Sequence, residues 1–265
     1  MTESITSAQN PKFKQLLALQ EKSRLRRESG LFVVEGEREL MHCIEGGFRI
    51  RCVFCCPELM HKENAFGSAL DGVQRFEVSR ELYAKAALRG STEGIVAEVY
   101  ARESKLEDLK LGNNPLIAVL ESVEKPGNLG AVLRSADATG VDAVIVCDPL
   151  TDLYNPNLIR ASIGAIFTVP CVACSSSEAI KYLKAKQIQI LTAQLQDSSL
   201  YYDCDMKRPT AIVMGTEATG LSQVWRQAAD AHIRLPMLGR LDSLNVSVSA
   251  AVLLYEALRQ RNSLK

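Results

Sequence analysis

Three short stretches place small and polar residues directly after apolar runs: EKPGNLGAVLR (residues 124–134), GTEATG (215–220) and LPMLGRLDSLN (235–245). Glycine and other turn-forming residues let backbone amides come close to a ligand. The first stretch adds Asn128, a candidate cap for the helix that follows, and Arg134 six residues on. The second holds Glu217 between Gly215 and Gly220, and the third offers Ser243 and Asn245, either of which suits the cap of the last helix. One arginine, one glutamate and several amides around a cleft describe a ligand-binding α/β enzyme. No G-x-G-x-x-G follows a strand and no G-x-x-x-x-G-K-[ST] occurs, so an ordinary NAD or ATP enzyme is disfavoured.

The elements that must position these loops follow from hydrophobic periodicity. From Pro115 onward, PLIAVLES, DAVIVCD, FTVPCVAC, IQILTAQL, TAIVMG and HIRLPM read as strands. Helical patterns follow them: GAVLRSADAT, NLIRASIGA, SSEAIKYLKAK, an ill-defined segment near LYYDCD, LSQVWRQAA and NVSVSAAVLLYEALRQRN. Near-continuous apolar strands separated by helices predict a mostly parallel sheet covered on both faces. In such sheets ligands bind beyond the carboxyl ends of the strands, where the three loops fall. Upstream, a helical NPKFKQLLALQEKSRLRRES, the strand LFVVEG, the helix ERELMHCIEGG, the strands IRCVFCC, QRFEVS and GIVAEVYA, and the helix RELYAKAALR predict a smaller α/β unit. The expected division is residues 1–103, a charged and turn-rich linker at 104–114, and a larger domain at 115–265.

Composition sets the outer limits. Lys plus Arg and Asp plus Glu both total 31, so the net charge is zero and nucleic acid is not bound through bulk charge. A local basic cluster remains, in which Lys12, Lys14, Lys22, Arg24, Arg26 and Arg27 outnumber Glu3, Glu21 and Glu28. It reads equally as a solvated helix face or a nucleic-acid contact. The pairs Cys52/Cys55 and Cys171/Cys174 lie in strand-like runs, where cysteine serves as a small buried apolar residue. They are too far apart for a zinc ribbon, and His42, His61 and His232 are scattered, so no metal is expected. No run reaches the ~18 apolar residues of a membrane span, and the N-terminus lacks an apolar secretory core. The expected location is the cytoplasm.

Taken together, the three loops resemble the three motifs of the SpoU (TrmH) family of the SPOUT class. They are N-x-G-x-x-x-R from Asn128 to Arg134, G-x-E-x-x-G from Gly215 to Gly220, and I-x-x-P-M-x-G…S-L-N-V-S-V ending at Val248. ASIGA at residues 161–165 is similar to the family's segment between the first two motifs, and the likeness runs from about Leu116 to the C-terminus. The opening SAQNPKFKQLLAL and LFVVEGERELMHCI resemble the substrate-binding domain that precedes it in many members.

The resemblance implies an S-adenosylmethionine-dependent RNA ribose 2′-O-methyltransferase with a deep trefoil knot in its catalytic domain and no metal. It implies cofactor contacts from Gly215, Ile233 and Leu244, largely through backbone atoms, with Pro236 and Met237 shaping the pocket. Arg134 is the implied catalytic residue; Asn128 and Glu217 would orient it or the ribose, and Ser243 and Asn245 would hold the third loop. A homodimer through the catalytic domain is implied, acting on structured RNA, with 23S ribosomal RNA favoured over transfer RNA. A non-catalytic RNA-binding member of the fold and a small-molecule α/β enzyme are the competing readings.

Overall fold

The computed structural model describes residues 2–60, 66–88, 93–216 and 219–262. Among these residues the chain forms two compact units, one of residues 1–103 and 152–168, the other of residues 104–151 and 169–265.

The first unit runs β1 (Thr2–Ile5), α1 (Pro11–Glu21), α2 (Ser23–Ser29), β2 (Leu31–Glu35), α3 (Glu37–Glu45), β3 (Ile50–Cys55), β4 (Gln74–Val78), α4 (Arg80–Ala86) and β5 (Ile95–Tyr100). Its described strands form a sheet in the order β1-β4-β3-β5-β2. The single helix expected over residues 10–29 is two, because Lys22 is extended between them. Asn10 caps α1 by accepting from the Lys12 N–H, and Gly30, left-handed at φ 62°, ends α2. Strand β1 has no counterpart in the sequence reading.

The basic cluster near the start is partly consumed by the fold. Lys12 pairs with Glu3 at 2.7 Å and Arg24 with Glu28 at 2.6 Å. Arg26 is 4% exposed, bonded through Nε to Asp152 at 2.6 Å and through Nη1 to the carbonyls of Leu19 and Gln20. Removing one member of a buried, fully bonded ion pair strands the other charge. Arg26→Ala is therefore expected to lower unfolding free energy by about 3–5 kcal/mol in urea denaturation, and a loss below about 1 kcal/mol would contradict this account of the pair.

The second unit opens with residues 104–114, expected as a linker; Leu106 is buried in its core and Leu109 and Leu111 pack against it. There follow β6 (Leu116–Glu121), α5 (Pro126–Thr139) and β7 (Ala143–Cys147). The chain then crosses the first unit through α6 (Pro156–Ala161) and α7 (Ala165–Thr168), in place of one helix over NLIRASIGA. Ile163 and Gly164 both have positive φ (55° and 81°), which no helix accommodates. Back in the second unit come β8 (Cys171–Cys174), α8 (Ser176–Ala185), β9 (Gln189–Ala193), the two-residue β10 (Ser199–Leu200), β11 (Thr210–Met214), α9 (Gln223–Ala228), β12 (Ala231–Arg234) and α10 (Val246–Asn262). The described strands pair in the order β10-β12-β9-β11-β6-β7-β8, parallel throughout.

Strands β6, β7 and β11 are buried along their whole length, as a sheet covered on both faces requires. The segment near LYYDCD, read as a poorly defined helix, is a 3-10 turn over Tyr201–Asp203. No described helix is long and apolar enough to cross a membrane.

Candidate functional site

All three loops leave the carboxyl ends of parallel strands in the second unit, and sequence explains how each is held. Pro126 occupies the first turn of α5, so the helix begins before Asn128, and Asn128 is an early helical residue, not the cap. Its Oδ1 instead accepts from Nδ2 of Asn245 at 3.2 Å. Asn245 is the cap of α10: its Oδ1 accepts from the Ser247 N–H at 3.0 Å and from the Ser247 hydroxyl at 2.6 Å. One side chain thus caps the last helix and ties the third loop to the first. Arg134 lies on α5, exposed, with no hydrogen bond or ion pair among the described residues.

The two glycines of GTEATG have separate reasons. A Cβ on Gly215 would fall far inside contact distance of the backbone of Gly220 and Leu221, while Gly220 sits at φ +66°, which favours glycine. Thr216 closes the turn, its hydroxyl accepting from the Thr219 N–H at 3.0 Å and its carbonyl from the Gly220 N–H at 3.0 Å. Glu217 lies outside the described residues.

The far end of this turn is fastened to a carboxylate that sequence reasoning passed over. Glu121, at the end of β6 and 6% exposed, accepts from the Ser222 N–H at 2.8 Å and from the Ser222 and Ser176 hydroxyls at 2.5 and 3.2 Å. The single Ser176 hydroxyl hydrogen is shared with Asp148, the nearer acceptor at 2.6 Å, while the oxygen accepts from the Trp225 indole at 2.9 Å. The signal was present: a carboxylate closing the otherwise apolar run LIAVLE must find donors inside the fold.

Between the second and third loops lies a cleft of about 340 Å³ over the ends of β9, β11 and β12. Gly215, Ile233, Met237, Leu244 and Ser243 line it. Pro236 is exposed and is not among its lining residues; neither are Asn128, Arg134 and Asn245. Gln194, Arg226 and Asp242 line it and were not singled out from sequence.

The cysteines do not enter this chemistry. Burial pushes the thiols of Cys43, Cys52 and Cys171 up to about 12, so they stay protonated and unreactive at neutral pH. No cluster able to hold a metal occurs among the described residues.

A parallel sheet with a glycine-lined cleft at its carboxyl edge, bounded by two tied loops, defines a ligand-binding α/β domain. Residues 115–255 match the model of the SpoU rRNA Methylase family, and residues 10–97 match the MRM3-like substrate binding domain. The chain belongs to the SpoU rRNA methylase family. Among similar proteins, RlmP of Bacillus subtilis, named as a 23S rRNA (guanosine(2553)-2′-O)-methyltransferase, is 27% identical, with 96% of this chain and 98% of that protein covered. RlmB of Shewanella oneidensis, named as a 23S rRNA (guanosine-2′-O-)-methyltransferase, is 35% identical over 77% of this chain and 84% of its own. A solved RNA 2′-O ribose methyltransferase is 37% identical with a TM-score of 0.85, covering 98% of this chain and 99% of its own. The AdoMet-bound rRNA methyltransferase of Sinorhizobium meliloti is 28% identical with a TM-score of 0.89, covering 97% and 98%.

Proposed function

We propose that this protein is an S-adenosylmethionine-dependent ribose 2′-O-methyltransferase acting on ribosomal RNA, 23S rRNA in particular. The observation that carries the reading is the cleft itself, in which the second and third family motifs meet over the ends of β9, β11 and β12. The residues fit the cofactor. The cleft is of a size for a nucleoside-bearing ligand, and Gly215 keeps a backbone edge open where any side chain would close the turn. Gly215, Ile233, Leu244 and Met237 would hold the cofactor, which when bound supplies an electrophilic methyl on a sulfonium.

The protein's own part is positioning and charge. Arg134 acts by gripping a substrate phosphate through its guanidinium fork and stabilising negative charge that develops on the ribose oxygen. The hydroxyl proton leaves to solvent or to a phosphate oxygen. Asn128 is fixed by Asn245 at the start of Arg134's own helix, and Ser243 sits on the loop that lines the cleft. Glu217 orients Arg134 or the ribose in this reading.

Exposed apolar residues on the third loop and α10 support a homodimer through the second unit: Leu238 at 98%, Leu241 at 76%, Val248 and Tyr255. The reading also carries the family's trefoil knot. Structured RNA meets the first unit, with Lys14, Lys22 and Arg27 left from the basic cluster, in a cytoplasmic setting. Labelled methyl transfer to separate unmodified ribosomal and transfer RNA pools tests the substrate. Label is expected in the ribosomal pool; label confined to transfer RNA would overturn that choice, and no label in either pool would count against catalysis.

A further inference from the structure

Strands β6 and β11 keep parallel register as far as Leu120 and Met214, so the next residues, Glu121 and Gly215, emerge side by side at the carboxyl edge. The second loop leaves from Gly215 and comes back through Gly220 and Leu221 to Ser222. Its returning backbone lies so close to Gly215 that no Cβ fits there. Thr216 staples the tip of the turn to Thr219 and Gly220, but a staple within the loop does not fix where the loop sits on the sheet. That is fixed at Ser222, which gives both its donors to one carboxylate. Its N–H reaches Glu121 Oε2 at 2.8 Å and its hydroxyl reaches Oε1 at 2.5 Å. Residues on both sides of Ser222 line the cleft, Thr219, Gly220 and Leu221 before it and Arg226 after it, while Glu121 does not.

We propose that Glu121 is a positioning residue for the cofactor: by clasping Ser222 it holds the second loop closed over the end of β11, in the form that binds S-adenosylmethionine. The proposal rests on the reading that this cofactor occupies the cleft. A carboxylate presents two acceptor oxygens and no N–H, which matches the two donors of one serine. An amide of the same shape offers one acceptor and turns an N–H towards the other donor. The core itself does not ask for a carboxylate at this place, because an apolar side chain would continue the buried run LIAVL at lower cost. What Glu121 adds is the clasp. Without it the loop opens, and apparent affinity falls with the fraction of molecules in which the loop is closed. Bound cofactor closes the loop again, so the rate at saturation changes little.

The test compares the full-length wild type with Glu121→Gln, Ser222→Ala and the double variant. Calorimetry gives S-adenosylhomocysteine affinity and stoichiometry, and methyl transfer to unmodified ribosomal RNA gives kcat and the KM for S-adenosylmethionine. Glu121→Gln is expected to weaken S-adenosylhomocysteine and raise that KM about tenfold, with kcat within about threefold of wild type. Ser222→Ala keeps its N–H and loses its hydroxyl, so a loss of about threefold is expected. The double variant is expected to fall within about twofold of Glu121→Gln, because one clasp is lost only once. A role confined to fold stability moves other quantities: Tm, binding stoichiometry and kcat fall while KM stays. That pattern overturns the proposal, as does unchanged affinity in Glu121→Gln or full additivity in the double variant. If Glu121→Gln does not fold, unchanged affinity in Ser222→Ala, altered at an exposed position, overturns it instead. Failure of the wild type to bind S-adenosylhomocysteine brings down the cofactor reading itself.

Discussion

Arg134→Ala is expected to lower methyl transfer by about a thousandfold or more while S-adenosylhomocysteine binding stays within about threefold of wild type. The separation follows from where the residue lies. Arg134 is exposed on α5, lacks a partner among the described residues and is not among those lining the cleft. Its loss therefore costs the fold little, within about 0.5 kcal/mol for a surface substitution. What disappears is a fixed cation at the substrate, and donors that stabilise developing charge are each worth about two to three orders of magnitude. Arg134→Lys is expected to recover only part of the rate, because an ammonium cannot grip a phosphate through two parallel bonds. Single-turnover transfer and calorimetry on the same preparations separate the two effects. Activity within about tenfold of wild type in Arg134→Ala would remove the arginine from the chemistry.

Gly215→Ala is expected to act on the opposite side of that division, abolishing cofactor binding at concentrations that saturate the wild type. The new methyl would overlap the carbonyl carbon and oxygen of Gly220 and the nitrogen of Leu221. All three are backbone, so no rotamer change relieves the clash, and the turn from Thr216 to Gly220 must open. Opening it displaces the edge of the cleft and pulls on Ser222, which is bonded to Glu121. Gly112→Ala is the matched control, since its Cβ would meet only Asp142 at an ordinary 3.6 Å. Equilibrium dialysis against labelled S-adenosylmethionine distinguishes the two; retained binding in Gly215→Ala would show that the turn adapts.

The parts of this structure legible in the sequence are those set by local pattern. Buried parallel strands such as LIAVLE and TAIVM announce themselves by continuous apolar character, and each expected strand of the larger unit has a counterpart, although the one read over FTVPCVAC is confined to Cys171–Cys174 because Phe167 and Thr168 end α7. The loops that end them were legible for the same reason, because glycines and caps interrupt that pattern. What was not legible depends on distant partners. Strand β1 is four residues with only Ile5 buried, and its existence rests on parallel pairing with β4, about seventy residues away. Arg26 looked like one member of a solvated basic face until Asp152 supplied its buried counter-ion. Asn128 read as a cap because Asn often caps helices, but Pro126 had already begun the helix. Gln194 and Arg226 could not be found by spacing at all, since each is ordinary in its own segment and joins the lining only where β9 and α9 approach one cleft.

The most direct measurement of the central claim is the chemical position of the transferred methyl group. Ribosomal RNA labelled by this enzyme with S-adenosylmethionine is hydrolysed in alkali and the products are separated by charge. Alkali cleaves RNA through the free 2′-hydroxyl, so a 2′-O-methyl leaves its linkage intact. Label in alkali-resistant dinucleotides, absent with Arg134→Ala, is the expected result. Label in mononucleotides, released with the base, would show base methylation and contradict the account.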